Sequence, residues 1–549
     1  MARKDKLNSP ENSGNSSLES AKPLTRREFL AGSASAIAIA SLPAGQSGTP
    51  PQQQQAQQQT APTSPAKTPF AADFLWGAST SAYQIEGASR EDGKDLSVWD
   101  EFVRQPGAIR DGKTGDMACD FYHRYPEDIG HMREMGLKAF RFSVAWSRVI
   151  PQGTGEVNQK GLDFYSALVD ALLAAGITPV VTLFHWDTPL ALVQRGGWEA
   201  RDMAGWFGDY AATVARSLSD RAKYWLTVNE PRSFIGGGYV TGVQAPGEKL
   251  PRDQYMRAAH ITLLAHGRAV QAVRANAKKP VQIGCPCDVT PALPESNSSA
   301  DVAAALQSTF ASPVEHFSAE YWWRENSWWL DPIYTGKYPA DAVAALEKDS
   351  PEIQPGDMET IHQPLDFLAT NIYSGWPVRA NPQGMPPYQY VDFAAGAPLT
   401  AFRWHVTPEA LYWGPKWLYE RYKLPIFITE NGCSFCDWVS LDGQVHDPQR
   451  IDFTARYLQA FSRAVGEGMP ALGYLHWSLL DNFEWQEGYT QRFGMIFVDF
   501  PTEKRILKDS AHWYASVISS QGAALQRIRA TATPPALPPK PPSPQKPGR

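Results

Sequence analysis

Two glutamates stand where a carboxylate is costly to place. Residues 426–432 read Ile-Phe-Ile-Thr-Glu-Asn-Gly. Three apolar residues between Pro425 and the stop at Gly432 predict a short buried strand that delivers Glu430 at its exit. Residues 226–231, Leu-Thr-Val-Asn-Glu-Pro, repeat the arrangement with Glu230. A buried acid is unfavourable unless it is hydrogen-bonded or used in chemistry. For a single such Glu, a structural ion pair is the commoner reason. Two strands that each end in a Glu point instead to a paired-carboxylate site.

The elements that must hold this pair can be read along the chain. Eight short apolar segments occur in order, at residues 74–78, 139–143, 178–184, 224–228, 281–285, 367–369, 425–428 and 473–475. Helical patterns lie between several of them. Residues 161–175 carry Leu162, Tyr165, Leu168 and Leu172 on one face and stop at Gly176; residues 255–275 form a second helix. Strand and helix alternating eight times in one chain predict a single (β/α)8 TIM barrel with long βα loops, an α/β fold. Catalytic groups of such a barrel come from the C-terminal ends of the strands and the loops that follow. There this chain places Gln84 and Glu86, Arg141, His185-Trp186-Asp187, Asn229 and Glu230, Asn371 and Tyr373, Glu430, and Trp477, Glu484 and Trp485. Only the fifth segment offers no candidate. Polar side chains interleaved with Trp suit a sugar, which has hydroxyls to pair and C–H faces to pack.

The two ends read differently. Residues 25–30, Thr-Arg-Arg-Glu-Phe-Leu, precede a weakly apolar run and resemble a twin-arginine export signal over residues 1–45. Periplasmic or secreted localisation is the expectation, with an uncleaved, tethered form left open. Residues 46–69, rich in Gln, Pro and Thr, read as a disordered linker, residues 70–521 as the folded unit, and residues 522–549 as a Pro- and Lys-rich tail. A net charge of −6 with mixed signs indicates no nucleic-acid partner and no anionic-membrane partner. Five cysteines are too few for a disulfide framework, and Cys285/Cys287 and Cys433/Cys436 lack a second pair at zinc spacing. Oligomeric state is not readable from the chain.

At this point the residues resemble glycoside hydrolase family 1, the retaining β-glucosidase family. Seven motifs in order carry the likeness. Residues 74–87 are Phe-Leu-Trp-Gly-Ala-Ser-Thr-Ser-Ala-Tyr-Gln-Ile-Glu-Gly, and residues 140–148 are Phe-Arg-Phe-Ser-Val-Ala-Trp-Ser-Arg. Next come Phe-His-Trp-Asp-Thr-Pro at 184–189, Thr-Val-Asn-Glu-Pro at 227–231 and Ile-Thr-Glu-Asn-Gly at 428–432. Trp-Ser-Leu-Leu-Asp-Asn-Phe-Glu-Trp at 477–485 and Arg-Phe-Gly at 492–494 complete the set. The resemblance implies Glu430 as nucleophile and Glu230 as acid/base, with the carboxyls ~5 Å apart. It implies that Arg141 keeps Glu430 ionised, that Tyr373 orients it, and that a neighbouring carboxylate raises Glu230. It implies a sugar site made by Gln84, His185, Trp186, Asn229, Asn371, Trp477, Glu484, Trp485 and Phe493, with Asn229 on the 2-hydroxyl. The substrate would be a small-molecule β-glycoside, and no cofactor or metal is needed when two carboxylates carry the proton and covalent chemistry.

The chain departs from the family pattern at Cys433, Gln491 and Ile372. Cys433 and Cys436 admit a small local disulfide or plain space-filling thiols. Glu230 argues against the thioglucosidase branch, which has Gln there, and Glu484 would repel a 6-phosphate. Galactoside or fucoside as glycone, transglycosylation, and a non-catalytic sugar-binding role are the alternatives to glucoside hydrolysis. Trp322, Trp323, Trp328, Trp329 and Trp376 are candidates for the leaving-group side or for the core.

Overall fold

The computed structural model describes residues 68–311 and 324–527. The expected export signal, nearly all of the linker, the tail beyond residue 527, and Trp322 and Trp323 lie outside them.

Eight strand positions form one parallel ring. They are β1 (Leu75–Ser79), β2 (Ala139–Ser143), β3 (Thr178–Phe184), β4 (Tyr224–Val228), β5 (Gln282–Gly284), β6 (Leu368–Asn371), β7 (Ile426–Asn431) and β8 (Ala471–Trp477). β1 to β5 pair in parallel in sequence order, as do β6 to β8, and β1 also pairs with β8. The ends of the sheet are β5, on β4, and the two-residue piece Cys287–Asp288, on β6. Only Cys285 and Pro286 separate these ends, so the ring closes through one interrupted strand. The interruption explains why the fifth segment ends short of its predicted limit. Proline has no N–H to give to a ladder, and the Pro286 carbonyl instead accepts from the Glu230 amide at 2.8 Å.

The strands are apolar on both faces because helices cover the outside while side chains fill the inside. Leu75, Ala139, Val180, Leu226, Phe367, Phe427 and Leu475 form the inner cluster. Their sequence neighbours Trp76, Phe140, Val181, Trp225, Ile426 and Ile428 join the outer one, against the helices. The outer layer includes Gln159–Ala174, where 161–175 was expected, and Arg252–Asn276, where 255–275 was expected. Gly176 follows the first of these at φ +74°, a left-handed stop that suits glycine. Trp328 and Trp329 are buried core residues, whereas Trp376 is half exposed. The packed chain continues past Gln521 into a 3-10 turn, Ala523–Arg527, with Leu525 buried. Among the described residues no helix is long and apolar enough to cross a membrane.

Candidate active site

The placement of Glu430 depends on a register shift. On β7, Phe427 faces the barrel interior, so strict alternation would send Glu430 outward. Between Ile428 and Glu430 the pairing with β6 slips: Ile428 faces Thr370 and Glu430 faces the very next residue, Asn371. The extra residue is a bulge, and it turns Glu430 inward beside Thr429. Gly432 follows where β7 and β8 nearly touch, since a Cβ there would lie 1.8 Å from the Trp477 carbonyl oxygen.

Arg141 sits below Glu430, fully buried on the inner face of β2. Its guanidinium donates to Thr182 Oγ1 of β3 at 2.9 Å, Ser79 Oγ of β1 at 3.1 Å and Asn229 Oδ1 at 2.6 Å. It also forms an ion pair with Glu430 Oε1. Tyr373 Oη donates to the other oxygen, Oε2, at 2.7 Å. Both oxygens of Glu430 are thereby held. Glu230 is bound differently: Asn371 Nδ2 donates to its Oε1 at 2.7 Å, and Asn371 Oδ1 accepts from Thr429 Oγ1 at 2.7 Å. One asparagine thus links the two acids.

The environments push the acids apart. Burial first, then the carboxylates of Asp288 and Glu430, raise Glu230 well above the carboxylate range. Burial also raises Glu430, while Arg141 and then Tyr373 pull it back toward the ionised form. The expected charge effect of Arg141 is therefore present, but it opposes a larger desolvation. Burial, aided by Glu430, holds the Tyr373 hydroxyl well above its usual range, so it remains a donor. Burial and Arg141 keep His185 neutral.

The pair opens into a cavity of about 560 Å³. Of the expected sugar-site residues, His185, Trp186, Asn371, Trp477, Glu484, Trp485 and Phe493 form its wall, with Tyr373 beside them. Gln84 and Asn229 do not; each is fully buried one layer behind. Gln84 Nε2 donates to Glu484 Oε2 at 3.3 Å, and Asn229 Nδ2 meets His185 Nε2 at 3.0 Å. Because Asn229 Oδ1 is occupied by Arg141, its NH2 faces His185, whose Nδ1 has no partner among the described residues. Stacked rings line one side, with Trp186 and Trp485 centred 4.8 Å apart. Trp186, Glu230 and Trp485 have φ of +76°, +44° and +48°. These left-handed conformations are disfavoured for side chains of this size, and such outliers concentrate at functional sites.

Several strand-end residues serve elsewhere. Glu86 faces away, bound to Arg148 at 3.0 Å and Tyr165 at 2.6 Å. Asp187 is buried outside the cavity wall. Burial, with Glu430 second, pushes Glu484 up to about 8. It therefore holds its proton at neutral pH, where the charge on which the expected repulsion of a 6-phosphate depends is absent. The wall also contains Arg232, Asp288, Gln244, Phe402 and Trp404, which sequence reasoning missed. Asp288 follows the strand that offered no candidate; its nearness to Pro286 was the only available signal. All five cysteines are free thiols, with Cys433 buried and Cys436 exposed. Among the described residues no cluster of three or more His, Cys, Asp or Glu side chains is arranged to hold a metal.

A (β/α)8 barrel with two buried, differently held glutamates in an aromatic-walled cavity defines a hydrolase of glycosidic bonds. The chain belongs to glycosyl hydrolase family 1, whose family model matches residues 66–523. It is 42% identical to "Beta-glucosidase A" of Thermotoga maritima, over 82% of this chain and 98% of that protein. It is 41% identical to "1,4-beta-D-glucan glucohydrolase" of Thermotoga neapolitana, over 82% of this chain and 99% of the relative. Among solved structures it resembles the Thermotoga maritima β-glucosidase in complex with glucoimidazole, with TM-score 0.74 and 41% identity. That match covers 82% of this chain and 99% of the other.

Proposed function

We propose that the protein is a retaining β-glucosidase that removes terminal β-D-glucosyl residues from cello-oligosaccharides or from aryl and alkyl glucosides. The observation that carries the reading is the unequal hold on two buried acids. Glu430 has both oxygens fastened, by Arg141 and Tyr373, while Glu230 takes one amide and is the more strongly pushed toward its protonated form. Glu430 attacks the anomeric carbon as Glu230 gives its proton to the departing glycosidic oxygen. Glu230, now a base, takes a proton from water, whose oxygen displaces Glu430 from the same carbon. Two displacements at one carbon leave its configuration unchanged.

Glucose as glycone is supported by the names of the relatives and by a wall that combines Glu484 and His185 with flat rings. Room for a leaving group lies in an adjoining cavity of about 530 Å³, which shares Arg232, Asp288 and Trp376 with the first. Proton NMR of an early time course on a methyl or aryl β-glucoside tests the reading. β-Glucose formed before any α-anomer supports it; α-glucose appearing first contradicts it. The pair Arg26-Arg27 supports export by the twin-arginine route. Replacing both with Lys should leave the active enzyme inside the cell, and unchanged export would contradict that assignment.

A further inference from the structure

Asp288 stands at the point where the barrel ring closes and is the partner of Asn371 in the sheet register. Asn371 is the residue whose amide reaches Glu230. One oxygen of Asp288, Oδ2, accepts from Arg232 Nε at 2.7 Å and from Ser233 Oγ at 2.8 Å. Both donors lie within three residues of Glu230, on the short helix Pro231–Ile235 that begins directly after it. Glu230 itself has φ +44°, a conformation that persists only when its surroundings enforce it. The amide of Glu230 is meanwhile held by the Pro286 carbonyl, two residues before Asp288. The strand-end segment 286–288 therefore grips the Glu230 turn from both sides. The other oxygen, Oδ1, is buried with no partner among the described residues.

We propose that Asp288 is a positioning residue for Glu230: through Arg232 and Ser233 it fastens the turn that carries the acid, and its negative charge faces the acid across the cavity wall. The other charged groups around Glu230 do not duplicate this role. Glu430, from β7, is paired with Arg141 of β2. Glu484, from the loop after β8, holds its own proton up to about 8. Arg232, on the helix of Glu230 itself, is compensated by Asp288. His185 after β3 is neutral, and Tyr373 after β6 is a neutral donor. Removing the Asp288 charge both deletes a negative neighbour and leaves Arg232 uncompensated. Both changes favour ionised Glu230, in agreement with Asp288 being the largest charge effect on that acid.

This inference rests on Glu230 being the acid/base, so the test separates the two. The kcat/KM of unsubstituted, Asp288→Asn and Asp288→Glu protein is measured against pH on two substrates. Cellobiose needs a proton on its leaving oxygen, whereas 2,4-dinitrophenyl β-glucoside has a leaving group that departs without one. The Asn variant keeps an acceptor for Arg232 and Ser233 and loses only the charge. It should move the alkaline limb for cellobiose down by about one pH unit, leave the dinitrophenyl profile in place, and be rescued by the Glu variant. An unmoved limb, or an equal loss on both substrates without a shift, overturns the proposal. If the unsubstituted protein shows no difference between the two substrates at alkaline pH, the assignment of Glu230 fails first.

Discussion

Replacing Tyr373 with Phe removes one oxygen atom from the site and little else. The ring packs against Trp404, with centroids 5.0 Å apart, and that contact survives. What is lost is the 2.7 Å hydrogen bond to Glu430 Oε2. A hydrogen bond to a charged group contributes about 1.5–3 kcal/mol. At about 1.4 kcal/mol per pH unit, that is a shift of roughly one to two units for the acid that accepts it. The sign follows from the donor: Tyr373 stabilises the carboxylate, so without it Glu430 holds its proton to higher pH. The acid limb of kcat/KM, which reports the free enzyme's ionised nucleophile, should move upward by about one unit or somewhat more. Steady-state kinetics between pH 4 and 8 on an aryl glucoside, with the melting temperature as a check on folding, would show it. A limb that stays in place, or moves to lower pH in a folded variant, refutes the argument that Tyr373 acts on the charge of Glu430.

Glu230→Gln keeps the shape of the acid but has no proton to transfer. It should lower kcat/KM on alkyl glucosides by roughly 10²–10⁴-fold and on dinitrophenyl glucoside far less, measured in parallel assays. Glu484→Gln should bind glucosides almost normally at pH 6, because the carboxyl it replaces is already protonated there. A Glu484→Ala variant, which lacks the polar head, should raise KM strongly. Lys508 is fully buried, with Nζ 2.6 Å from Asp437 and 2.7 Å from Asp481. Lys508→Met leaves those carboxylates undercompensated and should cost about 3–5 kcal/mol in urea unfolding; a loss below about 1 kcal/mol would mean that Arg450 and Arg492 suffice.

Much of this arrangement was legible because a barrel strand covered on both faces is a short continuous apolar run. Residues 139–143, 178–184 and 224–228 match their strands residue for residue. The fifth strand was harder, because Pro286 splits it and three residues of ladder carry little pattern. The exits of the other strands named both acids and seven further residues of the cavity wall: His185, Trp186, Asn371, Tyr373, Trp477, Glu484 and Trp485. Periodicity gave no access to the bulge at Thr429, which reverses the direction of Glu430 and depends on the neighbouring strand. Nor did it show depth: Gln84 and Asn229 follow their strands just as Glu230 does, yet they support the wall from behind. Asp288 and Arg232 come together through the closure of the ring, a contact between residues 56 positions apart that no local window contains.

The central claim is that Glu430 forms a covalent bond to the sugar. A 2-deoxy-2-fluoro-β-glucosyl fluoride tests it directly, since the fluorine slows release of the glycosyl–enzyme more than its formation is limited by the fluoride leaving group. Intact mass should rise by one fluoroglucosyl unit, and peptide mapping should place that unit on Glu430. Label on a different carboxylate, or folded enzyme that turns over glucosides and takes no label, would contradict the account.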